Sequence, residues 1–249
     1  MPQSSRASRR HGRGSSSAPP PHRDPMRIVY IAFGVVMVLV VAGFALLRWQ
    51  QTREIAQAYA TPSPLPSSAL AGKPIQLADG ETLGAPYFKL VGRSQLPVTA
   101  RGGLGQPVDG IACATQEYVT LHVHTHLSIF DRGKQVQIPR GVGLAPVLPS
   151  GCLYWLHTHD ASGIIHVEAP RIGAPDGGAF DLGMFFDIWG LPLTRGDVGG
   201  IKGPVVAYVD GVKYDGDLRL IPLLAHQQIV LEIGTPTVPP PYYVFPPND

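Results

Sequence analysis

Residues 117–130 read EYVTLHVHTHLSIF. The odd positions Val119, Leu121, Val123, Leu127 and Ile129 are apolar, broken only by Thr125. The even positions are Tyr118, Thr120, His122, His124, His126 and Ser128. Side chains alternate across a strand, so this period of two predicts a β-strand with one apolar face and one face bearing three histidines. Asp131-Arg132-Gly133-Lys134 then reads as a turn, and 135–138 as a returning strand.

A second ribbon follows at 152–168, CLYWLHTHDASGIIHVE. Asp160-Ala161-Ser162-Gly163 has turn chemistry between two strand-like runs. A loop of even length sets His157 opposite His166, His159 opposite Ile164 and Trp155 opposite Glu168. His157, His159, His166 and Glu168 then share one face, and Tyr154, Leu156, Thr158, Ile165 and Val167 share the other. A loop of odd length would break these facing pairs. A further strand is expected at 226–233, HQQIVLEI, with His226, Gln228 and Glu232 on one face. Val205 to Val209 and Val212 to Tyr214 form a hairpin around Asp210-Gly211. FDLGMFFDIW, 180–189, reads as a short helix capped by Asp181.

The fold class is therefore mainly β: an antiparallel sandwich or barrel with one short helix, preceded by a single transmembrane helix. Composition agrees. The 249 residues include 29 Gly and 26 Pro, and only 15% are charged. Such a chain favours short strands and turns over a helical bundle or coiled coil.

Working outward, the chain divides at 1–27, 28–48, 49–71 and 72–249. Residues 1–27 carry six arginines against one acid, Asp24, with Ser and Pro runs and almost nothing apolar to bury. They read as a disordered basic cytoplasmic tail. Ile28 to Leu47, IVYIAFGVVMVLVVAGFALL, is free of charge. As a helix its twenty residues reach about 30 Å, the thickness of a bilayer core. The lipid bilayer is thus an expected partner, through 28–47. The basic N-terminal flank predicts an N-terminus in the cytoplasm and the bulk of the chain outside, as in a single-pass signal anchor. A cleaved signal ending near Ala58-Tyr59-Ala60 is the alternative, although the apolar run is longer than an ordinary signal core. Residues 49–71 contain TPSPLPSSALA and read as a linker. The exported part, 49–249, has 13 basic and 17 acidic residues, which argues against nucleic acid as a partner. Its two cysteines, Cys113 and Cys152, are expected to form a disulfide across 39 residues.

The histidines carry the chemistry. Neighbouring histidines at i and i+2 on a strand lie about 6.6–7 Å apart at Cα and can converge on one ion. The outer pair, His122 and His126, is too widely spaced for one ion to take all three, so a neighbouring strand must complete the site. The candidate metal ligands are His122, His124, His126, His157, His159 and His166, with Glu168 or Asp160 as an oxygen ligand or a catalytic base. Nitrogen-rich sets suit zinc or copper, and the number of ligands leaves room for two ions. His226 reads as structural.

The motif His157-Thr158-His159-Asp160-Ala161-Ser162-Gly163-Ile164-Ile165-His166, following HVHTHLSIF and IPRGVG, resembles a family of exported, membrane-anchored bacterial and archaeal proteins over about 110–234. That resemblance implies localisation and assigns no activity. The H-x-H pair followed by Gly133 and Ile138-Pro139-Arg140-Gly141 is similar to a cupin first motif, which implies a β-barrel with an internal metal. The glutamate usual downstream of the cupin H-x-H is missing, and His126 and Ser128 stand nearby. Neither the hydrolase pattern with x-Asp-His after its second histidine nor a G-x-S-x-G elbow is present.

Three functions fit this reading. The first is a membrane-anchored extracytoplasmic domain that binds a transition metal through its histidine cluster. The second is a metal-dependent hydrolase or oxygenase in which Glu168 or Asp160 moves protons. The third is a structural or interaction domain whose histidines only form hydrogen bonds.

Overall fold

The central strand, Leu121–Asp131, organises the fold. In a computed structural model of the chain, the described residues are 25–65, 72–78, 81–87, 102–145 and 151–247. Most of the tail expected over 1–27 lies outside them. The architecture is mainly β, with a long N-terminal helix and the short helix Leu182–Trp189.

One edge of the central strand pairs in parallel with Gln228–Ile233, which pairs in turn with Val205–Val209 and then Val212–Tyr214. Its other edge pairs antiparallel with Ile164–Ala169 and with the short return strand Lys134–Val136. Leu156–His157 closes that side of the sheet. Among the described residues there are also three smaller sheets, and no barrel closes. The barrel implied by the cupin resemblance is therefore absent here, because Val212–Tyr214 and Leu156–His157 remain separate edges of an open sheet.

Periodicity explains the layers. Leu127, Ile129, Ile165, Val167, Ile229 and Leu231 are completely buried on one face, in a core that also holds Phe180, Leu182, Phe185 and Phe186. The helix 182–189 buries every residue except Asp187. The Asp181 side chain caps it by accepting from Met184 N at 2.8 Å, and Gly190 ends it at φ 65°.

The opposite face is less open than strict alternation predicts. His126, Ser128, Gln228 and Glu232 are all buried there. The C-terminal segment lies over them. Gln228 and Tyr243 exchange two hydrogen bonds, and Val238 N donates to Glu232 Oε2. The Pro-rich tail is extended, and Tyr242–Tyr243 pairs with Pro74–Ile75.

Two boundaries differ from expectation. The regular strand begins at Leu121, not near Glu117, because the chain bends at 115–116 and 119–120. The helix that begins at Pro25 continues to Ala60, so 49–60 are helical and not an extended linker. Of the rest of that linker, 66–71 lie outside the described residues. Over 28–47 the helix is apolar and exposed. From Arg48 on, its last turns belong to the same compact unit as the β structure. Tyr59 is 4% exposed, and its hydroxyl accepts a 2.7 Å hydrogen bond from Phe180 N. That contact gives the polar tip of a buried ring a partner and ties these turns to the segment before the helix 182–189.

Cys113 and Cys152 form the expected disulfide, with Cα atoms 5.4 Å apart. It ties together the strands 113–114 and 152–154, which also pair directly.

Candidate metal centre

The register of three strands builds the site. His122 lies opposite Glu168 and His124 opposite His166 across one antiparallel pair. His157 lies opposite His166 across the next. The even-loop register is therefore realised, and Glu168 N donates to Trp155 O at 2.8 Å as that register requires. His122, His124, His157, His166 and Glu168 come to one face by pleat geometry alone.

Turns lock this arrangement. Asp160 Oδ1 accepts from both the backbone N and the hydroxyl of Ser162, at 2.9 and 2.5 Å. Gly163 has φ +92°, and a Cβ there would stand 2.5 Å from Leu127 O. The IPRGVG loop grips the other arm. Thr158 Oγ1 donates to Pro139 O and accepts from Val142 N, while Gly141 N donates to Thr158 O. His157 is thereby held fully buried, and its Nδ1 lies 2.8 Å from Tyr154 O. A carbonyl only accepts, so Nδ1 carries the proton and Nε2 presents a lone pair to the cluster.

The ring nitrogens converge tightly. His122 Nε2 is 3.2 Å from His124 Nε2 and 3.3 Å from Glu168 Oε1. Glu168 Oε1 is also 3.2 Å from His166 Nδ1. On the other side His157 Nε2 is 3.1 Å from His159 Nε2. Ligands about 2.0–2.1 Å from a tetrahedral ion stand about 3.3 Å from one another. The observed separations match the edges of such a shell. One ligand atom from each of His122, His124, His166 and Glu168 lies within 4.8 Å of all the others, and the same holds for His157, His159, His166 and Glu168. Both groups can hold a metal ion.

Burial supports the same chemistry. It pushes the His157 and His166 imidazoles down to about 4, His157 against the opposing pull of Glu168, so both are neutral at pH 7. Neutral imidazole is the form that ligates. Glu168 is 2% exposed, and its Oε2 is buried with no hydrogen-bond partner. An unsatisfied buried carboxylate oxygen is costly unless a cation faces it.

Two sequence candidates stand elsewhere. His126 is 1% exposed, but its Nε2 is 2.9 Å from Ser162 O, to which it must donate, and its ring stacks on Tyr243 at 4.3 Å. It belongs to the covered half of the face and not to the ligand cluster. Asp160 is an exposed turn residue whose Oδ1 accepts two hydrogen bonds from Ser162, and its charge acts on His166. His226, read as structural, stacks on Phe245 at 4.4 Å. Sequence reasoning missed Glu117, whose Oε1 is 3.2 Å from His159 Nε2. Strand alternation would put Glu117 on the mainly apolar face. The chain bends at 115–116 and 119–120, outside the regular strand, and Glu117 meets His159 there; the available signal was its charge on a mainly apolar face.

No protein family, curated protein or solved structure matches the chain.

Proposed function

We propose that this is a membrane-anchored protein whose β domain faces an oxidising, extracytoplasmic space and binds a transition-metal ion, zinc or copper. The apolar run 28–47 with its basic N-terminal flank supports the anchor, and the Cys113–Cys152 disulfide supports the compartment. His122, His124, His166 and Glu168 are the ligands assigned to the ion. The observation that carries this reading is the set of 3.2–3.3 Å separations linking those four side chains, which fit the edges of one coordination shell.

The ligand chemistry is that of a first-row transition metal. Imidazoles with one carboxylate suit zinc and copper, and iron and nickel as well, while both cysteines are tied up in the disulfide. Binding is favoured over catalysis by where the candidate bases lie. Glu168 sits inside the ligand shell, and Asp160 belongs to neither ligand group, with one oxygen bonded within its turn. The cluster is also shallow at its outer rim, where the His122 and His159 side chains are 44% and 42% exposed. A rim of this kind lets an ion enter and leave.

The test is elemental analysis of the full chain in detergent, produced without a polyhistidine tag and dialysed against zinc or copper. At least one equivalent should be retained, and His122→Ala combined with His124→Ala should remove one. A wild-type chain that retains no metal overturns the reading.

A further inference from the structure

We propose that the cluster holds two ions, with the Glu168 carboxylate bridging them. This inference rests on the metal-binding reading above. Five imidazoles and one carboxylate converge, more donors than a four-coordinate ion takes. The donors also fall into two groups. The pair His122 and His124 converges at 3.2 Å with Glu168 Oε1 and His166 Nδ1. The pair His157 and His159 converges separately at 3.1 Å.

The two oxygens of Glu168 divide between these pairs. Oε1 is spent on His122 and His166. Oε2 lies 3.9 Å from His157 Nε2, buried and without a hydrogen bond. A carboxylate that aims one oxygen at each of two nitrogen pairs has the arrangement of a bridging ligand. Glu117 stands 3.2 Å from His159 Nε2 on the exposed side, next to this second set. The second ion is thus assigned His157, His159 and Glu168 Oε2, with Glu117 as the outer partner of His159. Its Glu168 contact is the longer, 3.9 Å against 3.3 Å, so it binds more weakly than the first.

The experiment is a titration of the metal-free full chain in detergent with Zn(II), read by equilibrium dialysis and elemental analysis. Two equivalents are expected, the second at least about tenfold weaker. His159→Ala combined with Glu117→Gln changes only exposed side chains and should abolish the second equivalent while keeping the first. His122→Ala with His124→Ala should leave one. One equivalent in the wild type overturns the second ion and leaves the metal-binding reading standing, whereas none overturns both. Two equivalents in the His159/Glu117 variant overturn the ligand assignment of the second ion. In a parallel titration with Cu(II), the electron paramagnetic resonance signal should lose its isolated-ion form as the second equivalent binds. Two independent copper signals would overturn the bridge.

Discussion

His124 and His166 occupy directly opposed positions on neighbouring antiparallel strands, with ring centroids 4.4 Å apart. His166 also opposes His157 on its other side. One residue thus joins the two H-x-H motifs, and strand register fixes the distance between them. A slip of one residue would carry His166 to the apolar face, so the turn at 160–163 controls the site.

Gly163→Ala should therefore damage the fold. The substitution forces a side chain onto φ +92° and against Leu127 O. We expect a loss of about 2 kcal/mol or more in urea unfolding of the metal-free protein. An unchanged midpoint would show that the turn can relax without cost.

His126→Gln should retain wild-type metal content, since Nε2 of His126 faces Ser162 O and not the cluster. His124→Ala should reduce it. Equal losses in the two variants would return His126 to the ligand set.

The disulfide should contribute about 3–4 kcal/mol by restricting the unfolded chain. It spans 39 residues and ties the strand 113–114 to the strand 152–154. Cys113→Ala with Cys152→Ala should lower the unfolding midpoint by a corresponding amount, and reducing agent should lower the wild type alone. Identical midpoints with and without the bond would contradict this.

Stability of the metal-free protein should fall on acidification. Burial lowers His126, His157 and His166 from 6.5 to about 4 in the folded chain. Between those values the unfolded state binds more protons than the folded one, so stability rises with pH across this window. It is fully present above about 6.5 and is lost as pH falls toward 4. For His126 alone the effect is on the order of 3 kcal/mol. Urea midpoints at pH 7, 5.5 and 4.5 check this, and a flat profile would mean that the imidazoles are hydrated.

Tyr59→Phe should destabilise by about 1–3 kcal/mol, because it leaves the Phe180 amide, otherwise bound to the Tyr59 hydroxyl, buried without an acceptor. A protein beginning at residue 72 should be less stable than one beginning at residue 48, by thermal melting. Equal melting temperatures would show that the last turns of the long helix contribute nothing.

Much of this was legible in local sequence. Strand alternation, the Asp-Gly turn at 210–211, the Asp181 cap and the apolar run at 28–47 each depend on residues close together in the chain, and each was realised as an element. The even-loop pairing of His157 with His166 was also readable, because turn length fixes hairpin register. Which histidines face one another across different hairpins was not. His122 and His126 share one strand face and one periodicity, yet Tyr243, more than 100 residues on, covers His126 and leaves His122 at the rim. Glu117 meets His159 where the chain bends before the central strand. Local pattern determines which way a side chain points from its own backbone. What stands in front of it is decided by long-range packing, and whether a histidine is covered or left to converge with others is a fact of the tertiary structure.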